Sequence, residues 1–314
     1  MNIRKYSSYL SFFIMILFLF IVLASQFYHH FVDPLNSRIQ YANTSKSKYK
    51  YIVLGSSHTK YGVSDSFDPI LNLSSKGETF IYSYKVFKKL NRKMTDQTIV
   101  IIPVSIFSFV WETKEQYNYR YFSAFKLYDF IGVSTSEYFR NLLFGSLYNN
   151  KVLFGYICSM PKSKSLYNKN RLEYPRDLDL DRRIEVALPK VESHLTNLDY
   201  KERQDKYIET RKILVSLLSL VKEHNARAIL ITTPQTYLYN NLVSAADYKE
   251  RIYDNIAKVR SQLDFKVEYL DYSHYERFED NLELFSDVDH LNKKGADKFT
   301  KILLDDISKL KNNN

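Results

Sequence analysis

The chain has 314 residues, of which 45% are hydrophobic, which excludes a disordered chain and suffices for one large α/β domain with an insertion or for two small domains. Its net charge is +10, but the Lys and Arg residues are scattered and no zinc spacing or nucleic-acid-binding signature accompanies them. No nucleic-acid partner is therefore expected, and an anionic membrane surface or cell envelope suits the charge better. The single cysteine, Cys158, excludes an internal disulfide and any multi-cysteine metal site.

From Tyr9 to Ala24 the chain is almost unbroken Phe, Ile, Leu, Met and Val. That run approaches the roughly 20 residues a helix needs to cross a hydrocarbon layer. Arg4 and Lys5 precede it and no Lys or Arg follows until Arg38, which predicts a cytoplasmic amino terminus with the rest of the chain outside. Val22-Leu23-Ala24 also has the spacing of a signal-peptidase site, but the bulky stretch continues past it, so an uncleaved single-pass anchor is the expectation. The predicted organisation is a tail and anchor over 1–31, a polar linker over 32–48, and a domain over 49–314.

Within that domain Tyr49 to Leu54 reads as a first strand, ending at Gly55-Ser56-Ser57-His58. A helix is predicted over 79–93 and a second buried strand over 98–104, continuous in hydrophobicity as parallel sheets require. Between Trp111 and about Gln204 the rhythm is lost. Helical stretches near 119–130 and 135–160 and a charged span over 161–190 read as an insertion over about 112–204, capping the site. Asp177, Asp179 and Asp181 mimic a calcium loop there, but Arg182 and Leu188 stand where Gly and Glu are needed, so calcium is rejected. After it come a helix over 205–223, a strand over 228–232, a helix over 246–263, a strand over 266–270, and a last helix from near Asn292. Strands alternating with helices predict a parallel sheet covered on both faces.

Three places carry chemistry. Ser57 sits at a tight turn after a strand, where its hydroxyl and backbone N–H would face the carboxyl edge of the sheet. Asp287-Val288-Asp289-His290 precedes the final helix. An Asp three residues ahead of a His can hold the Nδ1–H and leave Nε2 free for a serine proton. Asp289 is the other candidate carboxylate, ranked below Asp287 because adjacent residues generally point apart. Gly77 lies in a loop entering a helix, where a bare N–H can approach a ligand. Of only seven glycines, Gly55, Gly77 and Gly295 fall beside these three places, which argues against chance.

These residues resemble the SGNH, or GDSL, hydrolase superfamily. Gly55-Ser56-Ser57-His58 is similar to its Gly-Asp-Ser-Leu motif, Gly77 to its oxyanion glycine, and Asp287 to His290 followed by Gly295 to its Asp-x-x-His block. The third motif, Gly-x-Asn-Asp, is missing; Pro103-Val104-Ser105 stands there, with Ser105 as a substitute donor. The resemblance implies a three-layer α/β sandwich with a parallel, flavodoxin-like sheet, a catalytic triad of Ser57, Asp287 and His290, and an oxyanion hole from Ser57, Gly77 and Ser105, with no metal or cofactor. It is nearest to the divergent branch of membrane-anchored proteins in polysaccharide O-acetylation and lipoteichoic acid D-alanylation. Those imply acyl (acetyl) transfer to a surface or secreted polysaccharide, fed by a multispanning membrane protein that hands acyl groups across. An esterase acting on carbohydrate or lipid and a non-catalytic polysaccharide-binding protein are the alternatives.

Overall fold

A computed structural model of the chain describes residues 3–31, 34–45, 48–67, 69–91, 94–111, 134–144, 174–196 and 198–312. They fall into two compact units, one drawn from Met1–Tyr41 and Lys114–Asn168, the other from Ala42–Thr113 and Lys169–Asn314. Cys158 and the stretch expected to be helical over 119–130 lie outside the described residues, as does the part of the 135–160 stretch beyond Phe144.

The chain begins with α1 (Ile3–Phe31) and α2 (Pro34–Thr44). The described side chains of α1 from Tyr6 to Phe20 are exposed, among them Phe12, Phe13, Ile14 and Leu17. Among the described residues no helix is long and apolar enough to cross a membrane. Strand β1 (Tyr51–Val53), helix α3 (Ser57–Gly62), strand β2 (Ile70–Asn72), helix α4 (Phe80–Lys88) and strand β3 (Ile99–Pro103) follow. In the first unit α5 (Thr135–Phe144) touches α1. The second unit continues with α6 (Leu180–Leu195), α7 (Tyr200–Glu223), β4 (Arg227–Thr232), α8 (Tyr237–Asn240), α9 (Ala245–Tyr248), a π-helical turn (Lys249–Tyr253), α10 (Asp254–Arg260) and β5 (Glu268–Asp271). After α11 (Glu276–Glu279) and a 3₁₀ turn, α12 (Lys293–Asn312) closes the chain.

All pairings in the sheet are parallel and the strand order is β2-β1-β3-β4-β5, the doubly wound order of flavodoxin-like folds. The central strands are apolar on both faces because both are covered: every residue of β1 and β3 is buried. Tyr51, Val53, Ile99, Ile101, Ile229 and Ile231 form one core with Phe299, Leu303 and Ile307 of α12. The two-residue alternation turns Ile52, Val100, Ile102 and Leu230 to the opposite face. Helix α7 packs against both α4 and α10.

Strand β2 has no counterpart in the sequence reading. It is three residues long, follows Pro69, and pairs Ile70 to Asn72 against Tyr51 to Val53. Its presence puts β1 between β2 and β3, so the chain leaves β1 at the point where the strand order reverses. Open α/β sheets form their crevice at such a reversal, beyond the strands' carboxyl ends.

Candidate active site

The turn after β1 is built around Gly55. Its φ is +107°, which side-chain-bearing residues rarely adopt, and an added Cβ would lie 2.1 Å from Pro103 Cγ at the end of β3. The glycine lets β1 turn sharply against its neighbour. Ser56 then caps α3, its hydroxyl accepting from His58 N–H, and Ser57 becomes the first residue of that helix. Asn72, at the end of β2, donates to the carbonyls of Thr59 and Val63 and fixes the far end of α3.

The loop after β2 is tied to the same turn. Ser75 N–H donates to Gly55 O at 2.9 Å, and Gly55 N–H donates to Glu78 Oε1 at 3.0 Å. Gly77 lies between these two ties, buried and with a φ of 68°.

A short loop between the 3₁₀ turn and α12 carries the acidic and imidazole groups. An antiparallel bridge between Phe285 and Leu291 and a hydrogen bond from Ser286 N–H to His290 O close it. Asp287 Oδ1 accepts from the N–H groups of Asp289 and His290 at 3.0 and 2.8 Å, an Asx-type turn that draws the ring of His290 back to the carboxylate. Nδ1 of His290 lies 2.8 and 3.1 Å from the two oxygens of Asp287. Its Nε2 lies 2.8 Å from Ser57 Oγ, 233 positions away in the chain. The structure thus brings together Ser57, His290 and Asp287 in one hydrogen-bonded series.

Asp289 approaches the same ring from the buried side. Its side chain is fully buried, with Oδ2 3.0 Å from His58 Nε2 and 3.8 Å from His194 Nε2. Oδ1 lies 3.3 Å from Lys190 Nζ and 3.2 Å from His290 Nδ1, close charge contacts whose angles fall short of hydrogen bonds. Burial alone would raise its pKa. The charges of His290 and Lys190, with His58 N–H, overcome that and hold the carboxyl well below its usual range.

The histidines divide into two kinds. Burial lowers His58 despite Asp289, and it lowers His194 to about 3, so both rings are neutral at pH 7. Burial also opposes charge on His290, but the charges of Asp289 and Asp287 and the hydrogen bond to Asp287 outweigh it and lift this ring to about 9. Neutral His58 donates its Nε2–H to Asp289 in a hydrogen bond, which leaves Nδ1 to accept from the Ser105 hydroxyl at 3.0 Å. Ser105 N–H in turn donates to Ser108 Oγ at 2.8 Å. Both donors of Ser105, the residue expected to face an oxyanion, are therefore engaged with His58 and Ser108.

The rings sit in an aromatic setting. Tyr61 meets His290 edge to face at a centroid distance of 5.6 Å, and Phe107 lies 5.2 Å from His58 and 4.5 Å from His194. His58, Asp289 and His290 also bring one nitrogen or oxygen each within 4.8 Å of one another. Those groups already share protons or charge among themselves and with Lys190, so the donor set is that of a hydrogen-bonded network.

Sequence reasoning gave no role to His58, Lys190, His194 or Tyr239. Lys190 and His194 come from α6, inside the insertion. The chain has few hints of this, although His58 directly follows the candidate nucleophile. Helix α6 is capped by Asp179, which accepts from Arg182 N–H, while Asp177 accepts from Ser286 and Asn292. Arg183 fastens the helix to the loop by donating to the carbonyls of Leu178, Leu282 and Phe285. Comparison of the sequence with protein-family models and with curated proteins returns no match.

Proposed function

We propose that this chain is a membrane-anchored, serine-dependent acyltransferase of SGNH type that O-acylates, with acetyl as the expected group, a cell-surface or secreted polysaccharide. The observation that carries the reading is the series Ser57 Oγ, His290 Nε2, His290 Nδ1, Asp287, with each step between 2.8 and 3.1 Å. A serine, a base within hydrogen-bond reach of it, and a carboxylate orienting that base are the parts of nucleophilic acyl transfer.

In the first half-reaction His290 Nε2 takes the proton of Ser57 as Oγ attacks the acyl carbon. The oxyanion formed is met by the N–H groups of Ser57 and Gly77, on the two loops tied through Gly55. Collapse breaks the bond to the donor's leaving oxygen or sulfur, which departs with the proton from His290. In the second half the imidazole deprotonates an acceptor hydroxyl, which attacks the acyl-serine and restores Ser57. Asp287 keeps the ring in the tautomer that presents Nε2 throughout.

Membrane anchoring through α1 is supported by the apolar run from Tyr9 to Ala24 and by the exposed side chains of Tyr6 to Phe20. With the basic residues Arg4 and Lys5 inside, the domain faces outward and receives acyl groups from a multispanning partner.

The test incubates the full chain in detergent with an aryl acetate, with and without soluble glycans. Acetate should appear on the glycan, and Ser57→Ala should lower turnover by about 10⁴-fold or more. Release to water alone would make the chain an esterase, and unchanged turnover in Ser57→Ala would reject serine catalysis.

A further inference from the structure

We infer that Asp289 is a second positioning carboxylate for His290, and that Lys190, delivered by α6, is its counter-ion, so that the insertion sets how readily the imidazole gives up its proton. The inference rests on reading Ser57 and His290 as nucleophile and base. It goes beyond that reading by assigning the buried groups behind the triad.

A carboxylate already serves the ring. Asp287 occupies Nδ1 with both oxygens, so tautomer and orientation need nothing more. A second carboxylate 3.2 Å from the same nitrogen is unfavourable to bury unless its charge is compensated. The surroundings of Asp289 supply that compensation from three elements.

From α3 comes His58, whose neutral ring donates to Oδ2, with the Ser105 hydroxyl filling its other nitrogen. From α6 come Lys190, 3.3 Å from Oδ1, and His194. Tyr239 of α8 stays protonated because burial raises it, and its hydroxyl donates to His194 Nδ1 at 2.7 Å. That leaves the His194 Nε2 proton turned toward Asp289. Ser57, Tyr61 and Asp287 complete the groups around His290.

The charges balance in only one state. His58 and His194 are neutral, so the two carboxylates face two cations, Lys190 and protonated His290. Removing the proton from His290 leaves one negative charge uncompensated in a buried cluster. This is the physical reason the ring is held to about 9, where only about one per cent of it is free base at pH 7. Lys190 lies 3.3 Å from Asp289 and 3.9 Å from Asp287, and it is the only charged group that α6 brings to them among the described residues. Any shift of that cation away from the carboxylates makes His290 a still more reluctant donor of its proton, and therefore a slower base.

The experiment follows His290 directly, by NMR titration of ¹⁵N-histidine in the full chain in detergent, alongside the pH dependence of Ser57 acylation by an aryl acetate. Wild type should titrate near 9, and the acid limb of the acylation profile should share that midpoint. Asp289→Asn should lower the midpoint by about one unit or more, a tenfold or larger gain in free base at pH 7. Lys190→Met should raise it by about half a unit or more, and Lys190→Arg should restore it. Lys190 is partly exposed, so its variants decide the matter even if the buried Asn substitution prevents folding. Midpoints unchanged to within about 0.3 units would overturn the inference. If the NMR midpoints move as described while Ser57→Ala leaves turnover intact, the assignment of function falls and the electrostatic coupling stands.

Discussion

The loop that carries His290 has two sides, and they are built differently. On one side Asp287 meets His290 through contacts three residues apart, closed by the loop's own backbone. On the other side Asp289 meets partners 231, 99 and 95 positions away in His58, Lys190 and His194. The first is a local geometry that any Asp-x-x-His at such a turn can form. The second exists only once α3, α6 and the loop have come together, so it depends on the whole fold.

The largest expected effect breaks the local side. Asp287→Asn should cut acylation of Ser57 by about 10⁴-fold, because an amide in that place favours the wrong tautomer, while leaving the fold in place. A loss under tenfold, read by aryl acetate kinetics, would mean Asp289 is the carboxylate that orients the ring.

Next comes the attachment of the long-range side. Arg183→Met removes three donors to carbonyls that hold α6 to the loop, and should cost about 3 kcal/mol or more in urea unfolding. Acylation should fall with it if α6 matters to the site. Gly55→Ala tests the turn that is legible in the sequence. With φ at +107° and Pro103 in the way it should cost about 2 kcal/mol and displace Ser57. Equal stability of wild type and variant would show that the turn can adapt.

In the pH dependence of stability the two sides oppose each other. His290 is raised in the folded chain, from an ordinary 6.5 to about 9. Its stabilisation is therefore complete below about 6.5 and lost as pH climbs through 9. His194 is depressed to about 3, so its contribution is present above 6.5 and lost on acidification toward that value. Urea midpoints measured against pH should lose their alkaline decline in His290→Gln and part of their acid decline in His194→Gln. An alkaline limb that persists in His290→Gln would assign it to another group.

These comparisons also show what could be read before folding. The strands β1, β3 and β4 were visible as apolar runs and β5 as a short stretch after a helix, and the Gly-Ser-Ser turn and Asp-x-x-His block were visible because each is short and self-contained. Strand β2 was not, since Ile70 to Asn72 is too brief to show a period and takes its identity from pairing with β1. The charged span over 161–190 gave no sign that Lys190 would lie beside a carboxylate from the end of the chain. On the helix Leu180–Leu195 the buried residues Arg183, Ala187, Val191 and His194 recur at three- and four-residue steps, but two of them are polar and mask the stripe. The continuous helix expected over 246–263 contains instead a π turn at Lys249–Tyr253, which turns Arg251 and Ile252 inward. A polar residue that is buried for its partners looks, in one dimension, like a surface residue.

The 233 positions between Ser57 and His290 have a consequence for synthesis. The hydroxyl is made 233 positions before the imidazole, so a nascent chain carries Ser57 without its hydrogen-bond partner until the loop of His290 has been synthesised. A product cut anywhere between the two residues cannot form that contact, whichever half of the sheet it retains.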